Sequence, residues 1–432
     1  KNIIKKWNEN NFQELLKKFL DFPEKNKNIF SIINQNGYEE NDEISQIIEE
    51  KQKITNSPLT KQRLKQLSEA FAYNEKKMSE ILNDFFPNLT NAQEIPKNIH
   101  DFYVPSQQTL ALYLENIFRD FGDDTSSNEN ELSLEICKKL FKNLPQPIES
   151  MAVLGVGACR LALDLHLNLS IQKTLAIDFN PLLLMIALKM MSGKNLKLYE
   201  ISSFPLSLDD VCRERILSYQ HYKKISGFFP ILADFQHLPL KNETLDVVLT
   251  PWIIDILPLS FNQVSAIINR VLKKGGFWIN HGPLGFMHAD PLEQLTSQEI
   301  KEKLSQNGFE VSEDFVEPLP YLQSEIKSQK RYEKTYNFVA RKKSSIPEVA
   351  TSLLPDWLCN RDLPIPLSSE LKQQQIIAKT YADVFCSLNG TTSYNQLLEL
   401  FSKHYKMPLD QADQTLLHLF TKFLDSQKRT LK

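Results

Sequence analysis

The stretch Met151–Asn180, MAVLGVGACRLALDLHLNLSIQKTLAIDFN, constrains this chain more than any other. An apolar run breaks at Gly155-Val156-Gly157-Ala158-Cys159, a helical pattern follows, and a second apolar run, Thr174–Ile177, ends on Asp178. A strand, a tight turn, a helix and a strand ending on a carboxylate about twenty residues on make the nucleotide-binding βαβ layout. The two glycines let the backbone approach a ligand closely. Asp178 is placed to accept hydrogen bonds from a ribose diol. A lone GxG turn does not say which nucleotide; the later strand ends must.

From about 150 to 342 apolar strands alternate with amphipathic helices, the signature of an α/β chain with an open parallel sheet. Strands are expected at Ser150–Leu154, Thr174–Ile177, Gly227–Leu232, Leu245–Leu249, Gly276–His281, Glu310–Val316 and Tyr336–Arg341. Helices are expected at Arg160–Leu167, Leu182–Met191, Asp209–Tyr219, Phe261–Leu272 and Ser297–Gln306. The segment Lys194–Ser226 is long for a crossover and reads as an inserted excursion.

Residues 1–104 read as a helical N-terminal region, with three- and four-residue apolar spacing in Phe12–Phe22, Glu43–Gln52 and Thr60–Phe86. Leu64, Leu67, Phe71, Met78, Ile81, Leu82 and Phe85 would form one buried stripe. Two amphipathic helices, Gln107–Phe121 and Leu132–Asn143, lead into the first strand, so the central domain is placed at 105–342. Beyond a Ser/Pro-biased linker, residues 343–432 read as three helices, Glu370–Ser387, Ser393–His404 and Asp410–Ser426, with a turn at Asn389-Gly390-Thr391-Thr392. That pattern suits a small winged-helix-like module, serving as a lid, a dimerisation surface or a peptide-recognition element.

Several function classes drop out. The 50 basic residues balance 53 acidic ones, and the C-terminal module is balanced too, so no broad nucleic-acid-binding face is expected. No apolar run reaches the roughly 18 residues of a membrane span. No signal-peptide pattern stands at the start. Five scattered cysteines without a CxxC, and no His/Cys/Asp cluster at ligand spacing, point to reduced thiols and no metal. A cytoplasmic protein is expected, with a homo-oligomer left open.

The strand ends carry the chemistry. Asp234 and Phe235 follow the third strand, where a carboxylate takes an adenine amine and an aromatic covers the ring. The fourth strand delivers Thr250-Pro251-Trp252-Ile253-Ile254-Asp255 to the mouth of the site, where ligands of open α/β sheets bind. Arg119, just before the βαβ unit, either forks onto a ligand carboxylate or forms a surface salt bridge. Asp255 is a substrate-orienting acid or a helix cap, and Trp252 is core or pocket wall. His281 and His288 are structural or substrate-facing.

Taken in order, the GxG turn, Asp178, the Ala233-Asp234 pair, the Leu245-Asp246-Val247-Val248 strand and the Leu272-Lys273-Lys274-Gly275-Gly276 turn resemble a class I S-adenosylmethionine-dependent methyltransferase. A nicotinamide dehydrogenase shares the glycine turn and the ribose acid but not the last turn. Arg119-Asp120, Gly155–Ala162, Asp234-Phe235-Gln236, Ile253-Ile254-Asp255, Phe277–Leu284, Leu295–Phe309 and Asn337–Lys342 are similar to the carnosine N-methyltransferase family. The resemblance covers roughly residues 105–342. It implies a Rossmann-like sheet binding S-adenosyl-L-methionine: Arg119 on its carboxylate, Gly155 and Gly157 along its methionine portion, Asp178 on its ribose, Asp234 and Phe235 on its adenine.

The same resemblance places Asp255 on a substrate imidazole and Tyr332 near a cluster of tyrosines. The chain departs from the family in two places: Arg331 and Glu333 flank a single tyrosine, and His288 stands one position late in Gly285-Phe286-Met287-His288. The implied reaction is N-methylation of an imidazole in a small histidine-containing molecule or peptide. Two other readings stay open. One is a peptide or protein methyltransferase whose C-terminal module captures the substrate chain; that module has some similarity to PqqD-like peptide-recognition modules at Leu388, Gly390, Thr392, Leu397, Leu400, Leu416, Phe420 and Leu424. The other is a non-catalytic cofactor-binding scaffold.

Overall fold

The computed structural model describes residues 48, 50–85, 110–123, 126–222, 225–286, 291–347, 369–388 and 391–429. The segment Phe12–Phe22 and most of Glu43–Gln52 lie outside them. The chain divides into two compact units, Lys1–Leu353 and Leu354–Lys432.

In the first unit the helices are α1 (Pro58–Phe85), α2 (Leu110–Phe121) and α3 (Glu129–Phe141), then the expected alternation begins. It runs β1 (Met151–Leu154), α4 (Arg160–Asn168), β2 (Thr174–Asp178), α5 (Pro181–Met191), β3 (Leu196–Ile201), β4 (Cys212–Leu217), β5 (Phe228–Leu232) and β6 (Leu245–Pro251). It closes with α6 (Phe261–Val271), β7 (Leu272–Gly282), α7 (Ser297–Gln306), β8 (Phe309–Tyr321) and β9 (Arg331–Lys342). Seven strands form one sheet in the order β5-β2-β1-β6-β7-β9-β8. The first five are parallel, and β9 runs antiparallel between β7 and β8.

Strand order reverses between β1 and β6, so the crevice at their carboxyl ends is the ligand position of such a sheet. Both faces are covered, which is why β1 and β2 are buried throughout rather than alternating. One face carries α2, α3, α4 and α5 through Ile117, Phe121, Leu140, Leu163 and Ile186. The other carries α6 and α7, packed around Trp278, which stacks on Phe261 at 5.6 Å.

Two expectations are corrected. The helix expected at Asp209–Tyr219 is a short 3₁₀ turn, Leu208–Asp210, followed by β4, which pairs antiparallel with β3 as a separate two-stranded sheet. Its charges conceal the strand: Arg215 is buried because its Nε donates to Glu200 Oε2 at 2.8 Å across the hairpin. Asn74 of α1 then caps the outer edge of β3, donating to Tyr199 O and accepting from Tyr199 N, each at 2.7 Å. Second, the β8–β9 hairpin runs well past the expected strands and lifts Tyr321, Arg331 and Tyr332 over the end of the sheet.

The second unit contains α8 (Ser369–Cys386), α9 (Tyr394–Tyr405) and α10 (Leu409–Arg429) around Val384, Leu397, Phe401, Ala412 and Leu416. Ser393 caps α9 in a box with Gln396. Among the described residues there is no strand pair to form a wing. No helix there is long and apolar enough to cross a membrane, and no group of three His, Cys, Asp or Glu could hold a metal ion.

Candidate cofactor and acceptor site

The glycine turn and the end of β2 form one hydrogen-bonded unit. Gly155 and Gly157 have φ of +69° and +59°, a region where a Cβ is strained. Gly155 N donates to Ile177 O at 2.9 Å, and Gly157 N donates to Asp178 Oδ2 at 2.7 Å. A Cβ on Gly155 would stand 2.3 Å from Ile253 Cδ1, whereas one on Gly157 would meet nothing within 4 Å. The turn is therefore packed against Ile253, just beyond β6, at its first glycine and open at its second.

Asp178 Oδ1 accepts from Asn180 N at 2.8 Å, and Asn180 caps α5 through Leu182 N and Leu183 N. Burial pushes the Asp178 carboxyl up to about 6, against the backbone donors of Asn180, Gly157 and Phe179. Cys159 caps α4 at φ +72°, and burial raises its thiol so that it stays protonated.

The aromatic that faces out is not the one expected. Phe235 is 7 % exposed and packs in the core of the α6–α7 face, while Phe179, directly after Asp178, is 37 % exposed. Asp234 caps the 3₁₀ turn Phe235–His237, its Oδ1 accepting from Gln236 N at 3.0 Å.

Beyond β6 the chain turns sharply. Trp252 has φ +53°, and its N–H donates to His281 O at 2.9 Å. A Cβ on Gly282 would lie 2.9 Å from Trp252 N and Cα, so only glycine lets the ends of β6 and β7 meet. The Gly282–Gly285 turn brings Gly285 N onto Asp255 Oδ2 at 2.8 Å. Asp255 is buried, and burial raises its carboxyl; the nearby Glu333 adds to the rise.

A stack of three groups stands beside it: the Trp252 ring lies 4.8 Å from Tyr321 at 27°, and the Arg331 guanidinium lies 4.9 Å from the Tyr321 centroid. Glu333 pairs with Arg331. Tyr332 points away at 64 % exposure. His281 is fully buried, edge-on to Trp252, with Nδ1 bound to Asn337 Oδ1 at 2.7 Å; burial lowers it to about 4. His288 lies outside the described residues.

Arg119, at the end of α2, donates to Asp120 Oδ1 at 2.8 Å and reaches Glu129 Oε1 at 3.5 Å. It lines a polar cavity of about 320 Å³ with Glu129, Arg160, Glu200, Leu322 and Lys327. Two aromatics at the strand ends, Phe179 and Tyr321, stand outside the set expected from the sequence. For Phe179 the signal was its place after the strand-end acid; for Tyr321, Pro318 and Pro320 hid the strand that carries it.

The strand order, the glycine turn and the acid ending β2 define a class I S-adenosylmethionine-dependent methyltransferase fold. A family model described as carnosine N-methyltransferase matches residues 96–344, more than half the chain, and the chain belongs to that family. The carnosine N-methyltransferases of Rattus norvegicus and Mus musculus are 31% and 30% identical to it over 123 residues. That match spans 27% of this chain and 30% of each relative. Among solved structures, a SAM-dependent methyltransferase from Aquifex aeolicus is 13% identical, covering 56% of this chain and 100% of that one, with a TM-score of 0.34. One from Methanosarcina mazei is 14% identical, covering 47% and 96%, with a TM-score of 0.33.

Proposed function

We propose that the chain transfers a methyl group from S-adenosyl-L-methionine to an azole nitrogen, the imidazole of a small histidine-containing or peptide-like acceptor. The residues present fit that cofactor. Gly157 opens on free space at positive φ beside a buried carboxylate, a cradle that any side chain would fill. Arg119 would hold the carboxylate, Gly155 and Gly157 the methionine portion, Asp178 the ribose, and Asp234 with Phe179 the adenine end. When bound, the cofactor supplies a methyl carbon activated by a sulfonium. The protein's share is alignment and exclusion of water.

The observation that carries the reading is Asp255, a buried carboxylate fixed by the Gly285 N–H at the mouth of β6. A carboxylate there accepts the N–H of a neutral azole, presenting the other nitrogen's lone pair and stabilising the positive charge that transfer leaves on the ring. The logic parallels the orienting aspartate of a hydrolytic triad. Trp252 and Tyr321 would wall the ring. The test is methyl transfer from labelled cofactor to histidine dipeptides and histidine peptides. Asp255→Ala should lose on the order of 10²-fold or more in turnover while cofactor binding holds, and unchanged turnover overturns the assignment.

The separate helical unit with its own apolar core favours a second reading, capture of a longer peptide. Removing residues after 353 should spare a dipeptide acceptor and impair a peptide one.

A further inference from the structure

His281 Nε2 is a buried ring nitrogen without a hydrogen-bond partner, and its tautomer can be worked out. Thr335 Oγ1 gives its proton to Glu317 O at 2.9 Å, so it acts as an acceptor toward Asn337. Asn337 Nδ2 donates to that oxygen at 3.0 Å and to Thr335 O at 3.3 Å. The amide is thereby oriented with Oδ1 toward His281. Nδ1 must carry the proton it donates at 2.7 Å, and Nε2 holds a bare lone pair. Burial, with the Arg119 guanidinium adding to it, keeps the ring neutral.

A buried, locked acceptor at the carboxyl end of β7, on the sheet face that also carries α2, calls for a donor. Trp252 stands edge-on to the imidazole, its ring centroid 6.2 Å away.

We propose that His281 Nε2 and Arg119 together clamp an α-amino-acid group, the imidazole accepting from its ammonium and the guanidinium donating to its carboxylate. A pure donor and a pure acceptor on one face complement a zwitterion, and hydrogen bonds to charged groups are the strong ones. The inference rests on the methyl-transfer reading. The group has two sources, the methionine end of the cofactor or the amino-acid end of the acceptor.

The experiment is calorimetric titration of the full chain and needs no turnover. Ligands are S-adenosylhomocysteine, 5′-methylthioadenosine (which lacks the amino-acid end) and, on protein saturated with S-adenosylhomocysteine, L-histidine. The variants are His281→Leu and the double variant His281→Leu/Asn337→Leu. Removing both partners of a buried hydrogen bond together is far gentler on a fold than removing one, so the double variant separates a structural role from a binding one. Weakening of S-adenosylhomocysteine by about tenfold in a double variant of near-normal melting temperature, with 5′-methylthioadenosine unchanged, supports the clamp and assigns it to the cofactor. Unchanged S-adenosylhomocysteine with L-histidine weakened likewise supports it and assigns it to the acceptor. A folded double variant that binds all three as the wild type does overturns it. Wild-type protein that binds S-adenosylhomocysteine but methylates no azole overturns the proposed reaction and leaves the clamp standing.

Discussion

Asp178 Oδ2 accepts the Gly157 N–H at 2.7 Å, so the acid that ends β2 and the glycine turn are held as one piece. The carboxyl that makes this bond titrates near 6, raised by burial. A raised acid binds its proton more tightly in the folded than in the unfolded chain. Its contribution to stability therefore grows as pH falls through 6 toward the unfolded value of 3.8 and is least above 6. Ligand binding runs the other way, because a protonated carboxyl loses an acceptor. S-adenosylhomocysteine affinity should fall as pH drops from 7 to 5, and Asp178→Asn should bind weakly with a flat profile. Calorimetry across that range checks both; a parallel fall in the Asn variant would assign the titration elsewhere.

Gly155 is held by φ +69° and by Ile253 Cδ1, 2.3 Å from where a Cβ would stand. Gly155→Ala should destabilise the fold by about 1–3 kcal/mol, combining backbone strain with overpacking. Adding Ile253→Val should recover the packing part alone. Chemical denaturation of the two variants measures the difference; complete recovery would show that strain contributes nothing.

Phe235, expected over an adenine ring, is buried in the core, whereas Phe179 beside Asp178 is the exposed aromatic. Phe179→Ala, at an exposed position, should leave the denaturation midpoint nearly unchanged and weaken adenosine-containing ligands several-fold. Phe235→Ala should cost about 3–5 kcal/mol, as large-to-small changes in cores do. Thermal melts paired with S-adenosylhomocysteine titration distinguish them, and equal melts for both variants would contradict the packing described.

What could be read beforehand follows the strength of local signals. β1, β2 and the turn between them stand out because burial on both faces demands unbroken apolar runs and the turn demands glycine. The β3–β4 hairpin was missed because Glu200 and Arg215 satisfy each other across it, so two buried residues look like surface. The extension of β8 and β9 was missed because Pro318, Pro320 and several acids discourage a strand; β8 tolerates them as the sheet edge. Asp255 was legible as a strand-end acid, whereas its Gly285 partner needed the fold, since that contact spans thirty residues. The Trp252–Tyr321 stack likewise depends on a long-range pairing that no periodicity reports.

That stack gives the sharpest test of the acceptor side. Tyr321 lies between Trp252 and Arg331, whereas Tyr332, its cross-strand neighbour's near companion in sequence, stands 64 % exposed. An aromatic pair and a cation over its ring each contribute about 0.5–1.5 kcal/mol beyond area. If the stack walls the acceptor, Tyr321→Leu should raise KM for a histidine dipeptide by several-fold to tenfold with cofactor affinity unchanged, and Tyr321→Phe should recover most of the loss. Tyr332→Ala should move neither. The reverse pattern, in which Tyr332 sets KM and Tyr321 does not, would mean that the hairpin folds down over the acceptor and that the stack only braces it. Steady-state kinetics on the three variants at saturating cofactor decide between these, since a brace would change the melting temperature of Tyr321→Leu without a KM that Tyr321→Phe restores.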